Sequence, residues 1–139
     1  MNQILERLRK VPEVSGLADQ KDCPTYVKDL AVALEKISSR VLTRSKKERK
    51  KPFSETYHVC NGGVTTRYGM TLKMKELLNL KHTRVLKADV SHLAERRAIR
   101  PAYAAMSTSH YRKIFGASLR PWQEALKEYL NTFFPELVS

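Results

Sequence analysis

Apolar positions recur at helical spacing at both ends of this chain, and the texture between them is different. Ile4, Leu5 and Leu8 share one side of residues 2–10, with Glu6, Arg7, Arg9 and Lys10 around the rest. That pattern predicts a short helix, which Pro12 stops. Residues 11–23 hold Pro12, Ser15, Gly16, Asp19 and Asp22 and read as a loop. Over residues 24–43, Val27, Leu30, Leu34, Ile37 and Val41 recur at steps of three and four. They form one apolar stripe, serving either as an internal packing face or as a dimer seam. Pro24 suits the first turn of that helix, after an Asp22 cap.

The centre is richer in β-branched and aromatic residues. Thr56–Cys60 and Val64–Tyr68 flank Asn61-Gly62-Gly63, and Asn-Gly favours the positive φ angles of a tight turn. This predicts a β-hairpin. Helical patterns return at 71–80, where Thr71 is the cap, and at 84–99, where Leu86, Val90, Leu93 and Ala94 form the stripe. Residues 102–115 are moderately helical, and Gly116 fits a helix stop. The last helix, 119–134, is the clearest. Trp122, Ala125, Leu126, Tyr129, Leu130, Phe133 and Phe134 cover about half its wheel, as core or as a partner interface.

These elements predict a mainly α fold: a compact helical domain of about five or six helices with one β-hairpin near residues 55–69. It forms one unit over 1–139, with a flexible basic segment at 44–52. The helices 24–43 and 119–134 are expected to supply most of the core. Leu72, Leu77, Leu86, Val90, Leu93, Ile114 and Phe115 join them.

Charge changes the picture. The 139 residues carry 26 Lys+Arg against 14 Asp+Glu. Residues 1–43 hold seven basic and six acidic side chains, 44–120 eighteen and five, and 121–139 one and three. The excess is therefore confined to the middle, as expected of a phosphate-binding surface. The candidate nucleic-acid contacts are Arg44, Lys46, Lys47, Arg49, Lys50, Lys51, Arg67, Lys73, Lys75, Lys81, Arg84, Lys87, Arg96, Arg97, Arg100, Arg112 and Lys113. Cations release condensed counterions when they meet phosphates, and interleaved tyrosines stack on bases. The expected function is thus non-enzymatic binding of DNA or RNA, as a regulator or packaging factor. The alternative is an assembly subunit of a larger ribonucleoprotein complex, docking through helix 119–134 or the 27–41 stripe. A homodimer or protein partner would use helix 24–43 or 119–134.

Enzymatic signatures are sparse. No P-loop, dinucleotide fingerprint, metalloprotease motif or nucleophile elbow occurs in the sequence. The strongest catalytic candidate is His110-Tyr-Arg-Lys113, which would suit a small phosphodiesterase. Helices 71–80 and 84–99 also suggest a helix-turn-helix, although no small residue occupies the turn. His58-Val-Cys60 supplies too few ligands for zinc. We expect no cofactor and no metal. Cys23 and Cys60 lack framework spacing and read as reduced thiols. With no apolar span and no secretory leader, the expected setting is intracellular, cytoplasmic or nuclear.

Overall fold

A computed structural model describes residues 2–45, 47, 53–90 and 101–138. The expected flexible arm at 44–52 therefore lies largely outside the described residues, as do Leu93 and most of the 84–99 pattern. The elements run α1 (Asn2–Lys10), β1 (Glu13–Leu17), β2 (Lys21–Asp22), α2 (Val27–Leu42), β3 (Thr65–Thr66), α3 (Arg67–Leu77), β4 (Arg84–Ala88), α4 (Ser109–Phe115) and α5 (Trp122–Phe133). A 3-10 turn at Pro135–Leu137 follows.

The architecture is α/β, and this corrects the mainly α expectation. β1 and β4 form a parallel pair, with Val14 opposite Val85 and Leu17 opposite Ala88. Both strands fall where the sequence predicts something else. β1 occupies the presumed loop 11–23, and β4 occupies the start of the presumed helix 84–99. A five-residue strand carries too little periodicity to identify itself, and its partner lies about 70 residues away. The predicted hairpin is absent as well. Only Thr65–Thr66 is extended there, and it pairs antiparallel with Lys21–Asp22 rather than with residues 56–60. The helix-turn-helix fails with it, because β4 replaces its second helix.

Local chemistry still explains each boundary. The Thr66 hydroxyl caps α3 by accepting the Gly69 N–H at 3.0 Å. Gly116 ends α4 in the left-handed region, with φ 76°. Gly16 is required by packing: a Cβ there would lie 2.7 Å from Tyr68 Cα, so only glycine lets β1 and the start of α3 touch.

The core gathers Leu5 and Leu8 from α1, Val14 from β1, Met74 and Leu78 from α3 and its end, and Trp122, Leu126 and Leu130 from α5. The expectation for 119–134 holds, but that for 24–43 does not. Ala33 is the buried residue of α2, while Val27 is 67% and Leu34 52% exposed. Leu72 and Leu86 are also exposed. Heptad spacing specifies a face, and tertiary contacts decide whether that face is covered.

Candidate functional site

In open α/β sheets, ligands gather beyond the carboxyl ends of the parallel strands. Here those ends are Leu17 and Ala88. The chain beyond them is tied together by main-chain and side-chain bonds. Ala18 N–H donates to Ala88 O at 2.9 Å, and the Asp19 carboxylate accepts the Val90 N–H at 2.8 Å. Residues 102–104 then run alongside β2. Lys21 N–H donates to Ala102 O at 2.8 Å, and Ala104 N–H to Lys21 O at 2.9 Å. Further on, Cys23 Sγ accepts the Met106 N–H at 3.3 Å. The outcome is a polar ledge bearing exposed Lys21 and Tyr103, the latter 62% exposed.

The ledge passes through Pro24 and Thr25 into a cleft of about 280 Å³. Its walls include Tyr26, Asn61, Met70, Trp122, Tyr129 and Phe133. A mostly apolar, aromatic cleft with a few convergent polar groups is the usual form of a small-molecule site. The Tyr26 hydroxyl at its wall is buried and makes no hydrogen bond of good geometry to a described residue, though it lies near enough to the Lys28 ammonium to raise that group's pKa. Tyr26 also meets the edge of Tyr129 and lies under the Arg120 guanidinium, 5.8 Å from the ring centroid.

The cleft is braced by a polar hub centred on Asn61, which is 1% exposed. Its Oδ1 accepts the Tyr26 N–H at 2.7 Å. Its Nδ2 donates to Asp29 Oδ2 at 2.6 Å and to Arg120 O at 3.1 Å. Arg120 Nε donates to the same Asp29 oxygen at 2.9 Å, and Arg120 Nη2 pairs with Glu128 at 2.6 Å. Burial opposes the charge on Asp29, but the bonds from Arg120 and Asn61 outweigh it and hold the carboxyl below its ordinary range. Gly62 exchanges main-chain bonds with Arg120 O and Trp122 N–H, each at 2.9 Å. The Asn-Gly signal is thus real but misassigned: it anchors a loop to the start of α5 and does not turn a hairpin.

The expected cationic surface is dispersed. Arg44 lies over the Phe53 ring, Lys73 pairs with Glu76, Arg84 pairs with Glu13, and Lys87 lies over Tyr68. Arg67 and Lys75 are on α3, Lys81 follows it, and Arg112 and Lys113 are on α4. Lys47 is exposed. Lys46, Arg49, Lys50, Lys51, Arg96, Arg97 and Arg100 lie outside the described residues. His110 stacks on Tyr57 at 5.1 Å, and Tyr111 is buried against Phe115 and Tyr57, which makes it a packing residue. Lys21, Tyr26, Asn61 and Tyr103 were missed as site residues, since no sequence motif links them.

Comparison with known proteins decides the family. The model of the RmlD substrate binding domain matches residues 1–134. This chain belongs to that family. A curated relative, the spore coat polysaccharide biosynthesis protein SpsK of Bacillus subtilis, is 33% identical over 121 residues, covering 86% of the chain and 37% of SpsK. Among solved structures, a dTDP-4-dehydrorhamnose reductase from Bacillus anthracis in complex with NADP superposes with a TM-score of 0.77 at 24% identity. It shares 94% of this chain and 42% of its own. A dTDP-4-dehydrorhamnose reductase from Clostridium acetobutylicum gives 0.78 at 22% identity, with the same coverages. The RmlD-family chain therefore spans about two-fifths of the proteins it resembles.

This membership overturns the nucleic-acid reading and its assembly-subunit alternative, together with the expectations of a regulator and of a dimer or partner through helix 24–43 or 119–134. It also overturns the non-enzymatic reading, since the relatives are sugar-nucleotide reductases and a polysaccharide biosynthesis protein. No described helix is long and apolar enough to cross a membrane.

Proposed function

We propose that this chain forms the substrate-recognition part of a sugar-nucleotide reductase acting on a dTDP-4-dehydrorhamnose-like compound. The observation that carries this reading is the family match over residues 1–134, which includes the whole ledge and cleft. The ledge offers Lys21 to a diphosphate, and Tyr103 beside it offers a ring face. The cleft offers Tyr26 and Trp122 to the flat or apolar part of the ligand, with the buried Tyr26 hydroxyl as a polar contact.

The dinucleotide that such a reductase needs supplies a hydride when bound. The described residues do not fit it. No G-x-G-x-x-G occurs among the five glycines. The glycine-bearing helix start, at α3, is filled by its own turn: a Cβ on Gly69 would sit 2.6 Å from Thr65 Oγ1. No reduction step is therefore assigned to this chain's side chains. Their role is to bind and orient the sugar nucleotide. Free Cys23 and Cys60 suit a reducing, cytoplasmic setting.

Isothermal titration of the chain with dTDP-glucose, dTDP and NADPH tests the reading. Both dTDP ligands should bind, the sugar nucleotide more tightly, and Lys21→Ala should weaken each severalfold. Tighter binding of NADPH than of either dTDP ligand, or dTDP binding indifferent to Lys21→Ala and Tyr26→Phe, would overturn it.

A further inference from the structure

Cys23 and Cys60 are the two cysteines of the chain, and both are free and buried. They are far apart in sequence, yet folding brings their side chains into hydrogen-bond contact. Two ties hold the surrounding backbone together. Asp22 of β2 pairs with Thr65 of β3, and the Tyr26 N–H donates to Asn61 Oδ1 at 2.7 Å. Cys23 lies between these two ties, and Cys60 is next to Asn61. The substrate reading uses neither thiol.

The pair is asymmetric. Cys23 Sγ accepts the Met106 N–H at 3.3 Å, so the ledge strip 102–106 borders it. That strip is exposed at Ala102, Tyr103, Ala104 and Met106, and main-chain bonds at Ala102 and Ala104 join it to Lys21. A segment with so little buried surface opens locally without global unfolding. A hydroperoxide is close to water in size and needs only such an opening to reach Cys23. Cys60 lies deeper, 4% exposed against 7% for Cys23. A thiol oxidised to a sulfenic acid is captured as a disulfide when a second thiol is within reach, and otherwise runs on to irreversible acids.

We propose that Cys23 and Cys60 are a reversible redox pair, which a hydroperoxide closes into a disulfide where the ledge meets the cleft. The Cys23 sulfur attacks one oxygen of hydrogen peroxide and the O–O bond breaks. Cys23 becomes a sulfenic acid, and the other oxygen leaves as water with the thiol proton. The Cys60 sulfur then attacks the Cys23 sulfur. The S–O bond breaks, and the hydroxide leaves as water with the Cys60 proton. Two thiols and one peroxide thus give one disulfide and two waters. A small thiol reverses the change by exchange and is itself oxidised to a disulfide. The new bond draws Cys23 Sγ toward Cys60 and away from the Met106 N–H. The oxidised chain therefore holds the end of β2 firmly to the loop carrying Asn61, and it releases the ledge strip that bears Tyr103.

The test treats the native 139-residue chain with hydrogen peroxide, then alkylates the remaining thiols in urea for intact-mass and peptide analysis. The expected product is a Cys23–Cys60 disulfide within one chain, reversed by dithiothreitol and with a raised Tm. The Met106 amide should exchange roughly tenfold faster in the oxidised chain. In Cys60→Ser, dimedone should trap a sulfenic acid on Cys23, whereas in Cys23→Ala it should leave Cys60 untouched. Alkylation of both cysteines in full, after a dose that oxidises free glutathione, would overturn the proposal. So would cross-links between chains only, a disulfide that forms no faster than the chain unfolds, or unchanged Met106 exchange. The disulfide, its rate and the exchange are read on the unaltered chain, so they decide the matter even where a variant fails to fold. None of them involves a dTDP ligand, so failure of the substrate reading is seen separately.

Discussion

The Asn61 side-chain carbonyl accepts the Tyr26 N–H at 2.7 Å, across 35 residues of sequence. This bond ties the first residue ahead of α2 to the loop that holds α5, and so sets the width of the aromatic cleft between them. Asn61→Ala would leave the Tyr26 N–H and the Asp29 carboxylate each short of a partner in a buried site. An unsatisfied buried group costs about 1–3 kcal/mol, so urea unfolding should show a loss of roughly 2–4 kcal/mol. Asn61→Asp should also destabilise, because it sets a second carboxylate against Asp29.

Asp29 makes stability depend on acid. Its folded carboxyl titrates below its ordinary value near 3.8 because Arg120 and Asn61 bond the charged form, against the effect of burial. The contribution is complete above that ordinary value, and it is lost as pH falls through the lowered folded value. Thermal melts from pH 6 to pH 2 should show this loss. Asp29→Asn should be less stable at pH 6 and flatter across the acid range.

Gly16 tolerates no side chain. The atoms that a Cβ would strike are Tyr68 Cα at 2.7 Å and Tyr68 N at 2.9 Å, which are backbone and cannot rotate away. Gly16→Ala should lower stability by about 2 kcal/mol or more, read from the Tm. Gly69→Ala meets the Thr65 hydroxyl instead, which can turn, and should be milder.

Tyr26→Phe separates binding from folding. The hydroxyl it removes is buried, makes no hydrogen bond of good geometry and has the exposed Lys28 ammonium nearby, so stability should change by no more than about 1 kcal/mol. Affinity for dTDP-glucose should fall. A stability loss without any change in affinity would remove the hydroxyl from the site.

Cys60 should be inert while the chain is folded. Burial, aided by a hydrogen bond with Cys23, pushes its thiol up to about 12, far from the thiolate that reacts with disulfide reagents. Ellman's reagent at pH 8 should label Cys60 at the rate of unfolding, and in 6 M urea at once. Rapid labelling of the native chain would show that the segment carrying Cys60 opens.

Much of the helical content was legible from the residues alone. The stripes of α1 and α5 and the Gly116 stop are local properties, set by spacing along a few turns, whereas the cap of α3 was misplaced. The cap is Thr66 in place of the expected Thr71, which instead bonds its own helix backbone at Arg67 O. Net charge was equally legible, but it misled about function. Charge counts describe the field of a whole segment, whereas Lys73, Arg84 and Lys87 each answer to a nearby carboxylate or ring. What the tertiary structure alone decided is what depends on partners far away in sequence. β1 and β4 become strands because each completes the other's backbone bonds over 70 residues. Asn61-Gly62 becomes a bracket because Tyr26, Asp29 and Arg120 converge on it. The candidate site comes from the same convergence, since Lys21, Tyr26, Asn61, Tyr103 and Trp122 form no motif until the chain has folded. A strand without its neighbour and a site without its walls leave only short, ambiguous traces in the order of residues, while a helix carries its own hydrogen bonds and its own period.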